Sequence, residues 1–144
     1  VTQLSDNFHV EKHTSFPSIQ SEPACFAIYV DKNWYSLSLK ETISQQIVEE
    51  SALPTRILTN YLLSPILGIH DLRKDKRIGF LGGETNPTEI ERIVETGKAK
   101  AVFVVNKISM EVLKRFADMG WFMPPKTTYF EPKLLNALVI YSLT

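Results

Sequence analysis

Lys126 stands directly behind two prolines and directly before two threonines, in the stretch MPPKTTYFEPK from Met123 to Lys133. Proline fixes its own φ, so Pro124 and Pro125 reduce the freedom of the lysine that follows them. Thr127 and Thr128 set hydroxyl donors beside that ammonium, and a preorganised cation next to hydroxyls suits a phosphate or a carboxylate. Lys133 adds a second cation behind Pro132. Glu131 lies between the two lysines, so the block can also be read as an internal ion network. The plainest reading is an extended connector with polyproline dihedrals, in which Tyr129 and Phe130 cover the core and the lysines stay in water.

A second polar concentration is HDLRKDKR, His70 to Arg77. Charge runs of this kind are usually solvated turns. Its position just ahead of an apolar run singles out Asp75 and Arg77: the carboxylate can orient the guanidinium, act as a base, or hold a metal together with a ligand phosphate. The apolar run, RIGFLGG, closes on Gly82 and Gly83 and leads into ETNPTEIERIVETG. Strand, glycine turn and helix N-terminus make a shape that favours anions, through unpaired N–H groups and the helix dipole. Glu84, Glu89 and Glu91 oppose a further negative charge there. His9 and His13 are spaced for one helical face, but no third ligand is near in sequence, and no metal site is assigned. Cys25 has no basic neighbour or paired cysteine and reads as packing. Met110, Met119, Met123 and Trp121 read as core. The cofactor stays unknown: Walker, zinc-finger, helix-turn-helix and Gly-x-Ser-x-Gly patterns do not occur.

The elements that must position these groups follow from periodicity. Residues 1–24 are polar and carry Pro17 and Pro23, which predicts a loosely attached segment. CFAIYVDKNWYSLSL alternates on either side of Asp31-Lys32-Asn33, the pattern of a β-hairpin. Helical spacing follows from Lys40, with a helix start at Pro54 and a stop at Pro65 and Gly68. Ile78–Leu81 is predicted as a strand, Pro87–Thr96 as a helix capped by Asn86 with Glu89 completing the capping pattern, and Ala101–Val105 as a buried strand in the same sheet. A second capped helix ends at Gly120, and LLNALVIYSL, after the proline block, reads as a last strand. The fold class is α+β, with a mixed β-sheet, a β-hairpin and three to four helices, in a single domain over residues 25–144. Phe26, Ile28, Trp34, Leu37, Ile66, Phe80, Phe103, Val105, Phe116 and Val139 are the predicted core.

Composition bounds the function classes. The 144 residues carry 16 basic and 16 acidic side chains, a formal net charge of zero. There is thus no surplus positive field for a nucleic-acid backbone, which argues against nucleic acid as a partner. Apolar runs such as AVFVV and ALVIY fall far short of the roughly 20 residues that span a bilayer, so no membrane span is expected. One cysteine excludes an internal disulfide framework and favours the cytoplasm. The opening VTQLSDNF, without methionine, reads as a cut from a longer protein or as a processed form.

The motifs Pro65 to Ile69, Asp75 to Ile78, Gly82-Gly83 and Pro124 to Lys133, with Trp34-Tyr35 in the hairpin, resemble the C-terminal part of the prokaryotic family catalogued as domain of unknown function 1015. The resemblance covers residues 25–144, and the last block carries most of it. It implies that a missing N-terminal half of the same protein is a partner of this domain. Some members are labelled ParB-like, which implies the fold shared by partition proteins and sulfiredoxin, with nucleotide phosphates held near a glycine-ended strand. Two departures each remove a cation: Glu84-Thr85-Asn86 follows the glycine pair where the family has an arginine and a glycine, and Leu135-Asn136-Ala137 stands where it has Arg-Ser-Gly.

Two readings follow. In the first, the domain binds a small anionic ligand, a nucleotide or phosphorylated metabolite, and phosphoryl transfer is the reaction its residue types fit. Arg77, Lys126 and Thr127 are then the anion donors, with Thr128, Lys133, Gly82 and Gly83 at the ligand and Asp75 as base or metal ligand. In the second, it is a structural or protein-interaction module whose proline block locks the final strand. A DNA-partition role is least favoured, because the charge is balanced and no recognition helix is visible.

Overall fold

The hairpin turns on two residues. In the computed structural model, which describes residues 2–19, 24–124 and 127, Val30 pairs with Asn33, and Asp31 and Lys32 between them have φ of 47° and 59°. Two positive φ values in a two-residue loop match the right-handed twist of the flanking strands. The turn joins β2 (Cys25–Val30) to β3 (Asn33–Leu39), and β3 also pairs with β1 (Phe8–His13). A fourth strand, β4 (Ala101–Val105), pairs with β2, giving the order β1-β3-β2-β4 with every pairing among the described residues antiparallel. The architecture is α+β, as the periodicity requires.

Alternation sorts the two faces. Phe26, Ile28, Leu37, Leu39 and Phe8 point to one side and pack with Ile57, Leu58, Leu62 and Leu63. Ala27, Tyr29 and Trp34 point to the other and meet Ile90 and Val94 of α4 (Pro87–Glu95). The buried aromatic tips on that second face are satisfied by the same helix: Trp34 Nε1 donates to Glu91 Oε1 at 2.7 Å and the Tyr29 hydroxyl to Glu95 Oε1 at 3.3 Å. Burial, and then the two carboxylates, push the Tyr29 hydroxyl pKa up. Asn86 caps α4 as expected, accepting from the Glu89 N–H at 2.9 Å, and Ser109 caps α5 (Met110–Asp118) by accepting from the Val112 N–H.

The first face is covered by a helix of unusual build. After a short α1 (Glu41–Ser44), α2 (Pro54–Leu58), a π-helical turn (Thr59–Leu63) and α3 (Ser64–Leu67) run on without a break. Pro65 explains the irregularity. It has no N–H to offer the Tyr61 carbonyl four residues earlier, and its ring crowds that carbonyl. The preceding turn widens, as helices do at such defects, and Asn7 Nδ2 donates to the freed Tyr61 oxygen at 3.1 Å. Widening also lets the pairs Ile57-Leu58 and Leu62-Leu63, five residues apart, face the same core.

Three expectations are corrected. Residues 1–24 are not loosely attached throughout: Phe8–His13 is a sheet strand and Phe8 is 1 % exposed. Only Phe8 and Val10 carry its apolar alternation, and the charges around them conceal it in the sequence. Ile78–Leu81 is irregular rather than a strand. Gly79 interrupts the run and Gly82-Gly83 end it, glycines that weaken strand structure. Ile78 packs against the main core, while Phe80 and Leu81 are each 49 % exposed. Met110 and Met119 are exposed rather than core. Of the expected core, Phe26, Ile28, Trp34, Leu37 and Phe116 are buried, and Ile66, Phe103 and Val105 are half-buried. Val139 lies outside the described residues.

The Asn7–Tyr61 bond gives a direct test of the proline account. Asn7→Ala should cost about 1 kcal/mol in denaturant unfolding, the usual net worth of a hydrogen bond. In a Pro65→Ala background the new N–H can serve Tyr61 itself, so the cost of Asn7→Ala should fall clearly. An equal cost in both backgrounds would contradict the assignment.

Candidate functional site

One short sequence pattern occurs twice in the segment after α3, with two different outcomes. Asp71-Leu72-Arg73 and Asp75-Lys76-Arg77 are both Asp-x-Arg, and in each the aspartate Oδ1 accepts from the arginine backbone N–H at 2.9 Å. Such Asx turns are a local habit of aspartate. The arginine side chains then diverge.

Arg77 folds back. Its Nε and Nη2 donate to the Asp75 carboxylate at 3.0 and 2.6 Å, and its Nη1 and Nη2 donate to the carbonyls of Leu67 and Gly68 at 3.0 and 3.2 Å. Those carbonyls end α3, where a helix lacks internal donors and favours a cation. Gly68 stands there at φ 63°, and the Ile69 N–H returns to the Leu63 carbonyl at 3.0 Å. The loop over residues 70–76 is therefore held at both ends, by the glycine cap and by the Arg77 clamp. The side-chain hydrogen bond from Arg77, then its backbone N–H, lowers the Asp75 pKa from 3.8 to about 2. A carboxylate so acidic and so engaged is a poor general base, so the geometry gives Asp75 the work of positioning Arg77.

Arg73 does not fold back. Among the described residues its guanidinium has no hydrogen-bond or ion-pair partner. It lines a cleft of about 530 Å³ together with His70, Arg56 and Asn60. The wall from α2 and the π-helical turn comprises Thr55, Arg56, Thr59 and Asn60, the polar outer side of the helix whose inner side fills the core. Opposite them stands the clamped loop, with the Ser64 hydroxyl 2.6 Å from His70 Nδ1. The third wall is Phe122, Met123 and Pro124, and Arg56 secures it by donating to the Phe122 carbonyl at 2.7 Å while pairing with Glu50 at 3.2 Å. Thr55 Oγ1 is shut from solvent without a partner among the described residues. Unsatisfied buried groups are few in native folds and concentrate where function competes with stability.

The two polar blocks singled out in the sequence thus meet, through residues neighbouring those first chosen. His70, Asp71 and Arg73 reach the cleft, whereas Asp75 and Arg77 are not among its walls. Pro124 reaches it, and the Thr127 hydroxyl donates to the Pro124 carbonyl at 2.6 Å. Lys126, Thr128 and Lys133 lie outside the described residues. Gly82 and Gly83 line a separate groove along β4, and the nearby N-terminus of α4 is already capped by Asn86. Arg56, Asn60 and Arg73 escaped the sequence reading. The signal for the first two was two prolines within one helical pattern, and for Arg73 the duplicated Asp-x-Arg.

Among the described residues no cluster of three His, Cys, Asp or Glu side chains could hold a metal, and no helix is long and apolar enough to cross a membrane. A scan against protein-family models finds no match for the chain, and searches of curated proteins and of solved structures find none either.

The Asp75–Arg77 clamp has a pH signature. The folded pKa of Asp75 lies below its unfolded value of 3.8, so its ionised form stabilises the fold above that pH, and the contribution is lost as pH falls toward about 2. The difference in melting temperature between the native chain and Asp75→Asn should be present near neutrality and shrink through that window. A difference independent of pH would remove Asp75 from this role.

Proposed function

We infer that this domain binds a small anionic ligand, a phosphate or carboxylate compound such as a nucleotide or phosphorylated metabolite, in the cleft between the π-helical turn and the His70–Arg73 loop. The observation that carries the reading is the contrast between the two Asp-x-Arg arginines. Arg77 is consumed by the fold, and Arg73 presents a fork of donors, unpaired among the described residues, to a cleft that also holds His70, Arg56 and Asn60. Arginine's planar fork matches phosphate and carboxylate oxygens two at a time. Arg77 keeps a positioning part, holding the loop that carries Arg73, in place of the direct anion contact expected for it.

The proline block supports the same ligand from the other wall. Its leading residues, Met123 and Pro124, line the cleft, so Lys126 stands within a few residues of it in the chain. The resemblance to the domain of unknown function 1015 family, and the ParB/sulfiredoxin-like fold it implies, supports this through the motif residues alone. Binding is the extent of the proposal. The alternative, a protein-interaction module, rests on Phe122 and Met119, 86 % and 58 % exposed beside the same wall.

Titration calorimetry of the full chain with inorganic phosphate, adenosine diphosphate and citrate tests the proposal. At least one probe should bind, and Arg73→Ala should weaken it about tenfold or more, the worth of one or two charge-assisted hydrogen bonds. Because the Arg73 guanidinium has no partner among the described residues, the melting temperature of that variant should not change. Failure of all three anions to bind, or equal binding by native chain and variant, would contradict the reading.

A further inference from the structure

Beside its two arginines and His70, the cleft holds one carboxylate, Asp71, two residues before Arg73. The fold employs part of that residue. Its Oδ1 accepts from the Arg73 N–H at 2.9 Å, and its backbone carbonyl takes the N–H groups of Lys74 and Asp75 at 3.2 and 3.1 Å. Among the described residues Oδ2 has only the Lys74 ammonium, 3.8 Å away on a side chain that is 87 % exposed. A surface pair that long and that solvated contributes little. Arg56, by contrast, is engaged: Glu50 pairs with it at 3.2 Å, and the carbonyls of Glu50 and Phe122 take further donors. His70 is held at Nδ1 by Ser64. The opposite charges that the cleft offers a ligand are therefore the Arg73 guanidinium and the Asp71 carboxylate, carried by one closed turn.

We propose that the ligand of this cleft is a zwitterion, a small molecule whose ammonium lies close to its own phosphate or carboxylate, with Arg73 taking the anionic group and Asp71 the ammonium. This rests on the anion site proposed above and narrows its ligand class to amino acids and aminoalkyl phosphates. A ligand that is only anionic meets attraction from Arg73 and repulsion from Asp71, both well within the screening length of physiological salt. An ammonium beside the anion converts that repulsion into a charge-assisted hydrogen bond. The carboxylate thus discriminates twice, by attracting the zwitterion and by weakening its purely anionic analogue. Both groups are set by the same Asx turn, so little ordering remains to be done when the ligand arrives.

Calorimetric titration of the full chain with two matched pairs tests this: aminoethyl phosphate against ethyl phosphate, and alanine against propionate. The first pair stands for aminoalkyl phosphates and the second for amino acids. In at least one pair the amine-bearing member should bind about tenfold or more tightly than its partner, the worth of one charge-assisted hydrogen bond. Asp71→Asn should bring the two members of that pair to similar affinity. Asparagine keeps an Oδ1 for the Arg73 N–H, so the turn stays closed and the purely anionic member should bind the variant at least as well as the native chain. Equal affinity within both pairs for the native chain, or a preference that Asp71→Asn leaves intact, would overturn the zwitterion assignment; if the anions then still bind and still depend on Arg73, the anion site itself stands. Failure of all four compounds to bind would overturn both.

Discussion

The missing N–H of Pro65 is the constraint on which the rest of the described structure turns. A regular helix from Pro54 to Leu67 would present a different set of side chains to the sheet, because α-helical neighbours lie three and four residues apart. The widened turn over Thr59–Leu63 instead brings Ile57, Leu58, Leu62 and Leu63 to one core and sets Thr55, Arg56, Thr59 and Asn60 on the outside. The freed Tyr61 carbonyl is tied to Asn7, so the same defect also anchors the segment that leads into β1. One lost hydrogen bond thus sets which residues stabilise and which face the cleft.

Local rules account for the loop beyond that helix, and tertiary context decides how they are used. Both Asp-x-Arg units form the same Asx turn. The second lies within reach of the open carbonyls at the end of α3 and its arginine closes on them; the first lies over the cleft and its arginine does not. The Arg73 backbone is held by Asp71 while, among the described residues, its guanidinium is not tied up. Pre-organisation of this kind reduces the entropy that ligand binding must overcome.

Much of this fold is legible in the sequence because periodicity and capping act locally. The hairpin around Asp31-Lys32, the Asn86-capped α4 and the Ser109-capped α5 follow from neighbouring residues alone. Strand β1 does not, because Phe8 and Val10 are too few to declare a period among charged neighbours, and its place in the sheet depends on pairing with β3. The reading of Ile78–Leu81 as a strand failed in the opposite sense: composition favours it, yet Gly79 and the following glycine pair deprive it of partners. At the candidate cleft, residue types had singled out the two blocks whose neighbours line it. Which arginine the fold would consume was set by the distance to Leu67 and Gly68, a tertiary fact that no spacing rule contains.

Amide chemical-shift mapping of the full chain during titration with inorganic phosphate tests the central claim most directly, because it asks where an anion sits. The account expects shifts concentrated at residues 55–60, 70–73 and 122–123, with the amides of β1 and β3 unmoved. Shifts centred instead on Gly82, Gly83 and the start of α4, or no saturable shift anywhere, would contradict it.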